Sequence, residues 1–273
     1  MQMDRRFLLG GALATAGLGM SGAALAQTGA ARFARLGAGA GVFDHAAWDR
    51  LLGAYVRPGA DGINRVRYAA WRDASADRAA LAAYIAALAG ARISALTRPE
   101  QFAFWVNLYN ALTVRTILDA FPVRSIRDIR PTLLSIGPWG AVAVRIDGVD
   151  LSLDDIEHRI LRPGFGDNRV HYAVNCASLG CPNLALSAWR GATLEADLDG
   201  AARAFINHPR GARIEAGRLR VSSIFHWYKA DFGGTDAGVI AHLARFAAAP
   251  LRAGLAQVRA IPGHDYDWRL NGA

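Results

Sequence analysis

Lysine is almost absent from this chain of 273 residues: Lys229 is the only one, and the remaining basic residues are arginines. The formal net charge is +8, yet the 31 basic residues are scattered among 23 acidic residues and form no basic block. A surface that binds nucleic acid through its phosphates needs basic residues gathered on one face. The preference for arginine is typical of a GC-rich genome. The charge pattern therefore predicts no nucleic-acid partner.

Several enzyme motifs are absent as well. The chain has no Gly-x-Ser-x-Gly, no His-Glu-x-x-His, no Walker loop, no Gly-x-Gly-x-x-Gly after a strand and no Ser-x-x-Lys. These absences argue against an α/β-hydrolase elbow, a zinc protease and a nucleotide-binding loop. His171, Cys176 and Cys181 have side chains that bind zinc, but their spacing matches no usual zinc pattern. We therefore expect neither a cofactor nor a metal.

The N-terminus has the composition of an export signal. Arg5 and Arg6 form a twin-arginine pattern, and an apolar run rich in glycine and alanine follows over residues 10–25. The pattern predicts a twin-arginine signal peptide over residues 1–26 and the twin-arginine export machinery as a partner through Arg5 and Arg6. The mature protein is then periplasmic or secreted, with no stable membrane anchor after cleavage. An N-terminal membrane anchor is the alternative.

The rest of the chain suits one domain of mixed structure. Residues 27–43 are rich in glycine and alanine without periodicity, which predicts a flexible leader. The length of the segment 44–273 predicts that it folds as a single globular domain. Its strongest element is a helix over Glu100–Phe121, apolar nearly all round and preceded by a capping box of Thr97 and Glu100. We expect this helix to be the buried centre of an α+β fold, packed on an antiparallel sheet built from hairpins.

Shorter patterns complete the expected secondary structure. Capping and turn residues mark further helix starts and hairpin turns at Asp44, Ser75, Ser152, Thr235, Asp147-Gly148 and Gly217. The segment Val170–Cys176 has the composition of a strand. Glu157 and His158 are neighbours on a predicted helix and would point about 100° apart. This angle predicts that only one of the two faces a common site.

Both cysteines lie in one short stretch with a histidine. His171, Cys176 and Cys181 fall within eleven residues. A thiol near an imidazole is the minimum requirement for nucleophilic catalysis. Two thiols separated by four residues can also close a disulfide loop in an oxidising compartment. The residues leave both interpretations open, a catalytic thiol or a structural Cys176–Cys181 disulfide.

Five ordered blocks resemble the domain-of-unknown-function family 547, and the resemblance spans residues 44–271. The blocks read FWVNLYNAL (104–112), IEHRILR (156–162), DNRVHYAVNCASLGCP (167–182), IFHWYKADF (224–232) and YDWRLN (266–271). The resemblance implies a papain-like or transglutaminase-like cysteine hydrolase fold. It also implies that Glu157, His171 and Cys176 occupy motif positions of the family. His226 lies where the family more often has another polar residue, so we do not expect it to be the catalytic base.

These observations predict a thiol-dependent hydrolase or acyltransferase that acts on peptide-like amide bonds through an acyl-enzyme. Cys176 is the predicted nucleophile, His171 the base and Glu157 the carboxylate that orients the imidazole. Asn107, or backbone N–H groups of residues 177–180, would hold the oxyanion. The expected partner is a small peptide-like substrate.

One geometric objection stands against this assignment. In an unbroken strand, residues 171 and 176 would lie about 16 Å apart on opposite faces. The assignment then needs an early end of the strand, or Cys181 as the nucleophile. The alternative function is a non-catalytic periplasmic binding or scaffold protein with a structural Cys176–Cys181 disulfide. The sequence also leaves open whether Glu157 orients the imidazole or is a buried partner for an arginine, which is the commoner role of such a residue.

Overall fold

The structure is a computed structural model that describes residues 29–133 and 135–273. The predicted signal peptide, with Arg5 and Arg6, lies outside the described residues. The α-helices are α1 (Ala46–Tyr55), α2 (Tyr68–Asp73), α3 (Ser75–Ala89), α4 (Arg98–Ala120), α5 (Arg162–Phe165), α6 (Val170–Ala173), α7 (Leu194–Ile206), α8 (Ile224–Trp227), α9 (Asp236–Phe246) and α10 (Ala249–Leu255). A π-helix, Asp155–Leu161, precedes α5. The strands are β1 (Val56–Pro58), β2 (Asn64–Val66), β3 (Val142–Ile146), β4 (Val149–Ser152), β5 (Ala212–Glu215), β6 (Arg218–Ser222) and β7 (Gly263–Asp265).

Helix α4 is the buried centre of the fold, as the sequence predicts. Its N-cap Thr97 accepts the N–H of Glu100, a proline lies in its first turn, and the residues from Glu100 to Val114 are buried. The capping box is only half formed, because Glu100 Oε1 accepts the N–H of Gly191 at 2.8 Å instead of returning to Thr97. Helices α2 and α3 and the π-helix pack around α4. The centre of the domain is therefore mainly a helix-on-helix core.

The strands form three small sheets. β1 pairs antiparallel with β2, β3 with β4, and β5 with β6, while β7 joins β6 in parallel. Helices combined with small, mostly antiparallel sheets confirm the α+β class, whereas a papain-like fold is not confirmed. Within residues 29–133 and 135–273, no single sheet backs α4. The reason is that the strands are only three to five residues long and stay in separate hairpins.

The described part of the predicted flexible leader packs against the domain. Residues Arg32–Arg35 form a short 3₁₀ helix, and Phe33 makes an edge contact with Trp105 of α4 at a centroid distance of 5.4 Å. The N–H of Gly39 donates to the carbonyl of Leu96 at 2.9 Å. The composition of this segment predicts a flexible chain. The contact of Phe33 and the backbone hydrogen bond of Gly39 nevertheless hold it against the domain.

The predicted strand over Val170–Cys176 is wrong. Residues Val170–Ala173 form the single helical turn α6, and the chain then becomes extended. The amide of Asn110 on α4 fixes this change of direction, since Nδ2 donates to the carbonyl of Ala173 at 3.0 Å and Oδ1 accepts the N–H of Asn175 at 2.8 Å. Strand-like composition is overridden here by a tertiary contact. The objection that residues 171 and 176 face opposite sides of a strand therefore no longer applies.

Two hydrophobic clusters meet at α6. Val170 and Ala173 belong to the cluster around α4, while Tyr172 belongs to a second cluster formed with β6, α7 and α9. Helix α6 thereby places His171 at the boundary between the two clusters. None of the helices in the described part of the chain is both long enough and apolar enough to cross a bilayer.

Candidate active site

The loop from Cys176 to Cys181 is held tightly at both ends. The side-chain Oδ1 of Asn175 accepts the N–H of Ala177 at 2.9 Å, and the rest of the loop pairs with the backbone of residues 267–271. Ala177 has a positive φ of 59°, a conformation that residues with a Cβ seldom adopt. Backbone strain held in place by surrounding hydrogen bonds is typical of a functional site.

The two thiols of this loop have different environments. Both are free, and their Sγ atoms are hydrogen-bonded at 3.2 Å. Cys181 is buried, and its Sγ also accepts the N–H of Cys176 at 3.1 Å. Burial raises the pKa of the Cys181 thiol well above its ordinary value. Cys176 is partly exposed, so it is the thiol that a substrate can reach.

Three polar groups contact the sulfur of Cys176. Besides Cys181, the hydroxyl of Tyr266 lies 3.0 Å away and that of Ser178 lies 3.3 Å away. The hydrogen bond with Cys181, together with those of Ser178 and Tyr266, lowers the pKa of the Cys176 thiol, although desolvation of the sulfur acts in the opposite direction. Hydrogen bonds that stabilise the anion favour the thiolate, which is the nucleophilic form.

Cys176 lies in the wall of a cavity of about 460 Å³. Aromatic side chains make up much of the wall: Tyr109, Trp139, Trp227, Tyr228, Tyr266 and Trp268. The titratable side chains of the wall, apart from the thiols and tyrosines, are Asp154, Glu157, His158 and His171. The cavity thus brings together four residues singled out in the sequence, namely Glu157, His171, Cys176 and Cys181.

His171 is fixed by a carboxylate that the sequence did not single out. Its Nε2 lies 2.7 Å from Asp231 Oδ2, and its ring stacks on Tyr228 at a centroid distance of 4.2 Å. Arg162 donates to both oxygens of Asp231, at 2.6 and 2.9 Å. Hydrogen bonds from His171 and Arg162 hold the pKa of Asp231 well below its ordinary value. A charged carboxylate therefore orients the imidazole, which was the role predicted for Glu157.

No imidazole nitrogen in the described residues is hydrogen-bonded to either sulfur. The polar partners of the Cys176 sulfur are the groups of Cys181, Ser178 and Tyr266. The second nitrogen of His171, Nδ1, lies 3.9 Å from Glu157 Oε1. His171 and Cys176 therefore share a cavity without the direct contact of a thiolate–imidazolium pair.

Glu157 and His158 both line the cavity, contrary to the expectation that only one of them faces the site. They lie on the π-helix, whose wider turn separates successive side chains by a smaller angle than an α-helix does. Glu157 is buried, with 7% of its surface exposed. Its Oε1 lies 3.8 Å from His158 Nδ1. No arginine or lysine among the described residues forms an ion pair with Glu157, so its predicted structural role as an arginine partner is wrong.

Asn107 has a structural role and lies outside the cavity. Its Nδ2 donates to the carbonyl of Trp189 at 2.8 Å, and its Oδ1 accepts the N–H of Trp189 at 3.0 Å. Nδ2 also lies 3.3 Å from the ring of His45. The prediction that Asn107 donates to an oxyanion is therefore wrong, because its amide already ties α4 to the chain at residue 189.

Most backbone N–H groups of the 177–180 loop are also engaged. Ala177 donates to Asn175, Leu179 to the carbonyl of residue 269 and Gly180 to that of residue 267. Within the described chain, the N–H of Ser178 is the one in this loop without an acceptor. An oxyanion near Cys176 would therefore be stabilised by Ser178 and by the hydroxyl of Tyr266, and not by the whole loop.

The candidate functional residues that sequence reasoning missed come from distant segments. Tyr266 follows Cys176 by 90 residues, and Asp231 follows His171 by 60. Neither has a local pattern that marks it as functional. The available signal was their position inside the family blocks at 224–232 and 266–271.

Comparison with known proteins supports the family resemblance over part of the chain. Residues 93–206 match the family described as Protein of unknown function, DUF547. The matched segment contains α4, the π-helix, α6 and both cysteines, while Tyr228, Asp231 and Tyr266 lie beyond it. Neither the curated proteins nor the solved structures include a match.

Proposed function

We propose that this chain, whose residues 93–206 form a domain of the DUF547 family, is a thiol-dependent hydrolase or acyltransferase. It acts on peptide-like amide bonds through an acyl-enzyme. The observation that carries the proposal is the position of Cys176, whose sulfur lies at the wall of the 460 Å³ cavity among three hydrogen-bonding groups. Cys181 also lines the cavity, but it is buried and is hydrogen-bonded to the sulfur of Cys176.

The nucleophile in this proposal needs no contacting imidazole. Because the pKa of Cys176 is lowered by Cys181, Ser178 and Tyr266, a larger fraction of the thiol is ionised before substrate binds. The thiolate attacks the carbonyl carbon, which forms a C–S bond and moves the carbonyl electron pair onto oxygen. Collapse of this intermediate breaks the C–N bond and releases the amine after it takes up one proton. Water, or an acceptor amine or alcohol, then cleaves the thioester and restores the thiolate.

The proton for the leaving amine comes from the cavity wall. His171 is held by Asp231 at Nε2, and Glu157 lies beside its Nδ1. This arrangement suits a general acid that acts on the leaving group better than a base that acts on the sulfur. His171 is therefore the proposed proton donor, and Glu157 is the carboxylate that lies next to its Nδ1.

The compartment belongs to the same proposal. The twin-arginine pattern at Arg5 and Arg6 supports export to the periplasm or beyond, where thiols are prone to oxidation. A second candidate function, a binding or scaffold protein with a structural disulfide, is favoured by the 3.2 Å separation of the Cys176 and Cys181 sulfurs. The two candidates differ in whether the reduced protein is the active form.

The direct test is acylation of the reduced mature protein. An activated ester of an N-acetyl amino acid is expected to add one acyl group, located on Cys176 by peptide mass spectrometry. Cys176→Ser should abolish this adduct, whereas Cys181→Ser should still form it, with both variants checked for folding by circular dichroism. A disulfide that resists mild reductant, combined with no acyl adduct after full reduction, would overturn the enzyme proposal and favour the scaffold.

A further inference from the structure

The cavity beside Cys176 has a wall rich in aromatic rings. Trp268 packs against three of them, with centroid distances of 4.6 Å to Tyr266, 5.6 Å to Trp227 and 5.7 Å to Trp139. Trp227 nevertheless remains 46% exposed. Faces of tryptophan and tyrosine attract cations through their negative quadrupole.

Two carboxylates in the same wall, Glu157 and Asp154, form no ion pair with an arginine or lysine of the described chain. Glu157 is buried, and its closest charged-type neighbours are the imidazoles of His158 and His171 at 3.8 and 3.9 Å. Asp154 lies 3.7 Å from His158 and forms no closer ion pair. Burial raises the pKa of the Asp154 carboxyl, which is the direction expected for a carboxylate without a permanent cation.

Two other partly buried acids of the protein do pair with an arginine. Asp231 binds Arg162, and Asp167 binds Arg169, each with a shortest separation of 2.6 Å. Arginine is abundant in the chain, yet neither arginine nor lysine lines the cavity. A buried carboxylate is costly unless a positive charge compensates it. Around Glu157 the described chain places two imidazoles and no ion-paired arginine or lysine, so a cationic ligand could add the permanent positive charge.

We infer that the cavity binds a cationic group, an ammonium, a methylated ammonium or a guanidinium, between its aromatic wall and the carboxylate of Glu157. If the proposed function holds, on which this step rests, the amide substrate carries a positive charge close to the bond that is cleaved. Asp154 adds a second negative charge on the same wall. A volume of about 460 Å³ is in the range that accommodates a small ligand of this kind.

The test measures how charge affects alkylation of Cys176. The reduced mature protein is treated at about pH 8 with neutral iodoacetamide, anionic iodoacetate or cationic (2-bromoethyl)trimethylammonium, and the adduct is located by peptide mass spectrometry. Each rate is divided by the rate of the same reagent with glutathione, which removes intrinsic reactivity. The ratio of cationic to neutral reagent is the readout, because the ionised fraction of Cys176 cancels in it.

We expect the normalised rate for the cationic reagent to exceed that for the neutral one by about tenfold, since one ion pair in a partly buried site contributes about 1.4 kcal/mol. Iodoacetate should be slower than iodoacetamide. Glu157→Gln should bring the cationic preference down to about twofold. The matched control Glu195→Gln, at a glutamate whose side chain is 80% exposed, should keep it.

The outcomes separate this inference from the proposed function. Equal normalised rates for all three reagents, or a preference unchanged by Glu157→Gln, contradict the cationic site while leaving a reactive Cys176 in place. A Cys176 that reacts with none of the reagents contradicts the proposed nucleophile itself. If Glu157→Gln does not fold, loss of the wild-type preference in about 1 M salt serves as the second measurement, because screening weakens an ion pair.

Discussion

The reactivity of Cys176 depends on side chains that reach it from elsewhere in the fold. Ser178 comes from the same loop, Cys181 from the loop's end, and Tyr266 from the C-terminal segment. Each contributes a polar hydrogen or a dipole that is more favourable to the thiolate than to the thiol. Removing one of them changes a measurable property, the pKa of Cys176.

The first prediction concerns Tyr266. Replacing it with phenylalanine removes one hydrogen bond to the thiolate, so the pKa of Cys176 should rise and alkylation by iodoacetamide near neutral pH should slow by about tenfold. The rate should recover toward that of the wild type at alkaline pH. Tyr55→Phe is the matched control, since Tyr55 bonds Asp77 outside the cavity. A pH–rate profile identical to that of the wild type would contradict this role of Tyr266.

A second prediction separates the nucleophile from the proton donor. His171→Gln should reduce hydrolysis of an amide substrate by about a hundredfold or more, because the leaving amine needs a proton. Acylation by a nitrophenyl ester should stay within about threefold of the wild type, because that leaving group needs none. Parallel rate measurements on both substrates provide the comparison. Equal losses on the two substrates would mean that His171 acts on the sulfur or on folding.

At the scale of elements, the two asparagines of α4 hold loops and do not take part in chemistry. Asn110 sets the direction of the chain after α6, and Asn107 holds the backbone of Trp189. Both are buried, and an amide in that position must be hydrogen-bonded. The helix therefore positions the site indirectly, through the segments that its asparagines hold in place.

The third prediction follows for Asn107. Asn107→Ala removes two hydrogen bonds to a buried backbone segment and should lower the free energy of unfolding by about 1–3 kcal/mol. Alkylation of Cys176 should keep the rate of the wild type, because the amide lies outside the cavity. Urea unfolding and iodoacetamide kinetics on the same preparation give both quantities. If the variant keeps the stability of the wild type but its Cys176 is alkylated more slowly, Asn107 contributes to the site after all.

The sequence predicts elements well where the signal is local. The helix α4 carries its own cap at Thr97 and its apolar surface, and the β3–β4 hairpin carries its Asp147 turn, so both are found where expected. The segment Val170–Cys176 was predicted wrongly because its conformation depends on Asn110, sixty residues earlier. The partners of Cys176 and His171 were missed for the same reason, since Tyr266 and Asp231 come into contact only in the folded chain.

At the scale of the whole molecule, two buried histidines predict the pH dependence of stability. His45 bonds Tyr84 through Nδ1 and Asn107 through Nε2, and His242 bonds Tyr172 through Nε2. Burial, aided by nearby Arg190 and Arg245 respectively, lowers the pKa of each histidine from 6.5 to about 4. The folded protein thus holds both imidazoles neutral where an unfolded chain protonates them.

The fourth prediction is a loss of stability on mild acidification. As pH falls from about 6.5 toward about 4, the unfolded state binds protons that the folded state does not, so the free energy of unfolding should decrease by a few kcal/mol in total. Above about pH 7 this contribution should be constant. Urea unfolding at several pH values measures the slope, and His242→Gln should reduce it. A stability that is flat from pH 7 to pH 5 would contradict the neutral burial of these rings.

The central claim is that Cys176 is an accessible thiolate supported by a buried Cys181. The measurement that tests it most directly is the pH dependence of iodoacetamide alkylation in the reduced protein, resolved by peptide mapping for each cysteine. We expect Cys176 to be alkylated first, with an apparent pKa below the ordinary value of about 8.5, while Cys181 stays unmodified in the folded state. Faster modification of Cys181, or an apparent pKa for Cys176 at or above the ordinary value, would contradict it.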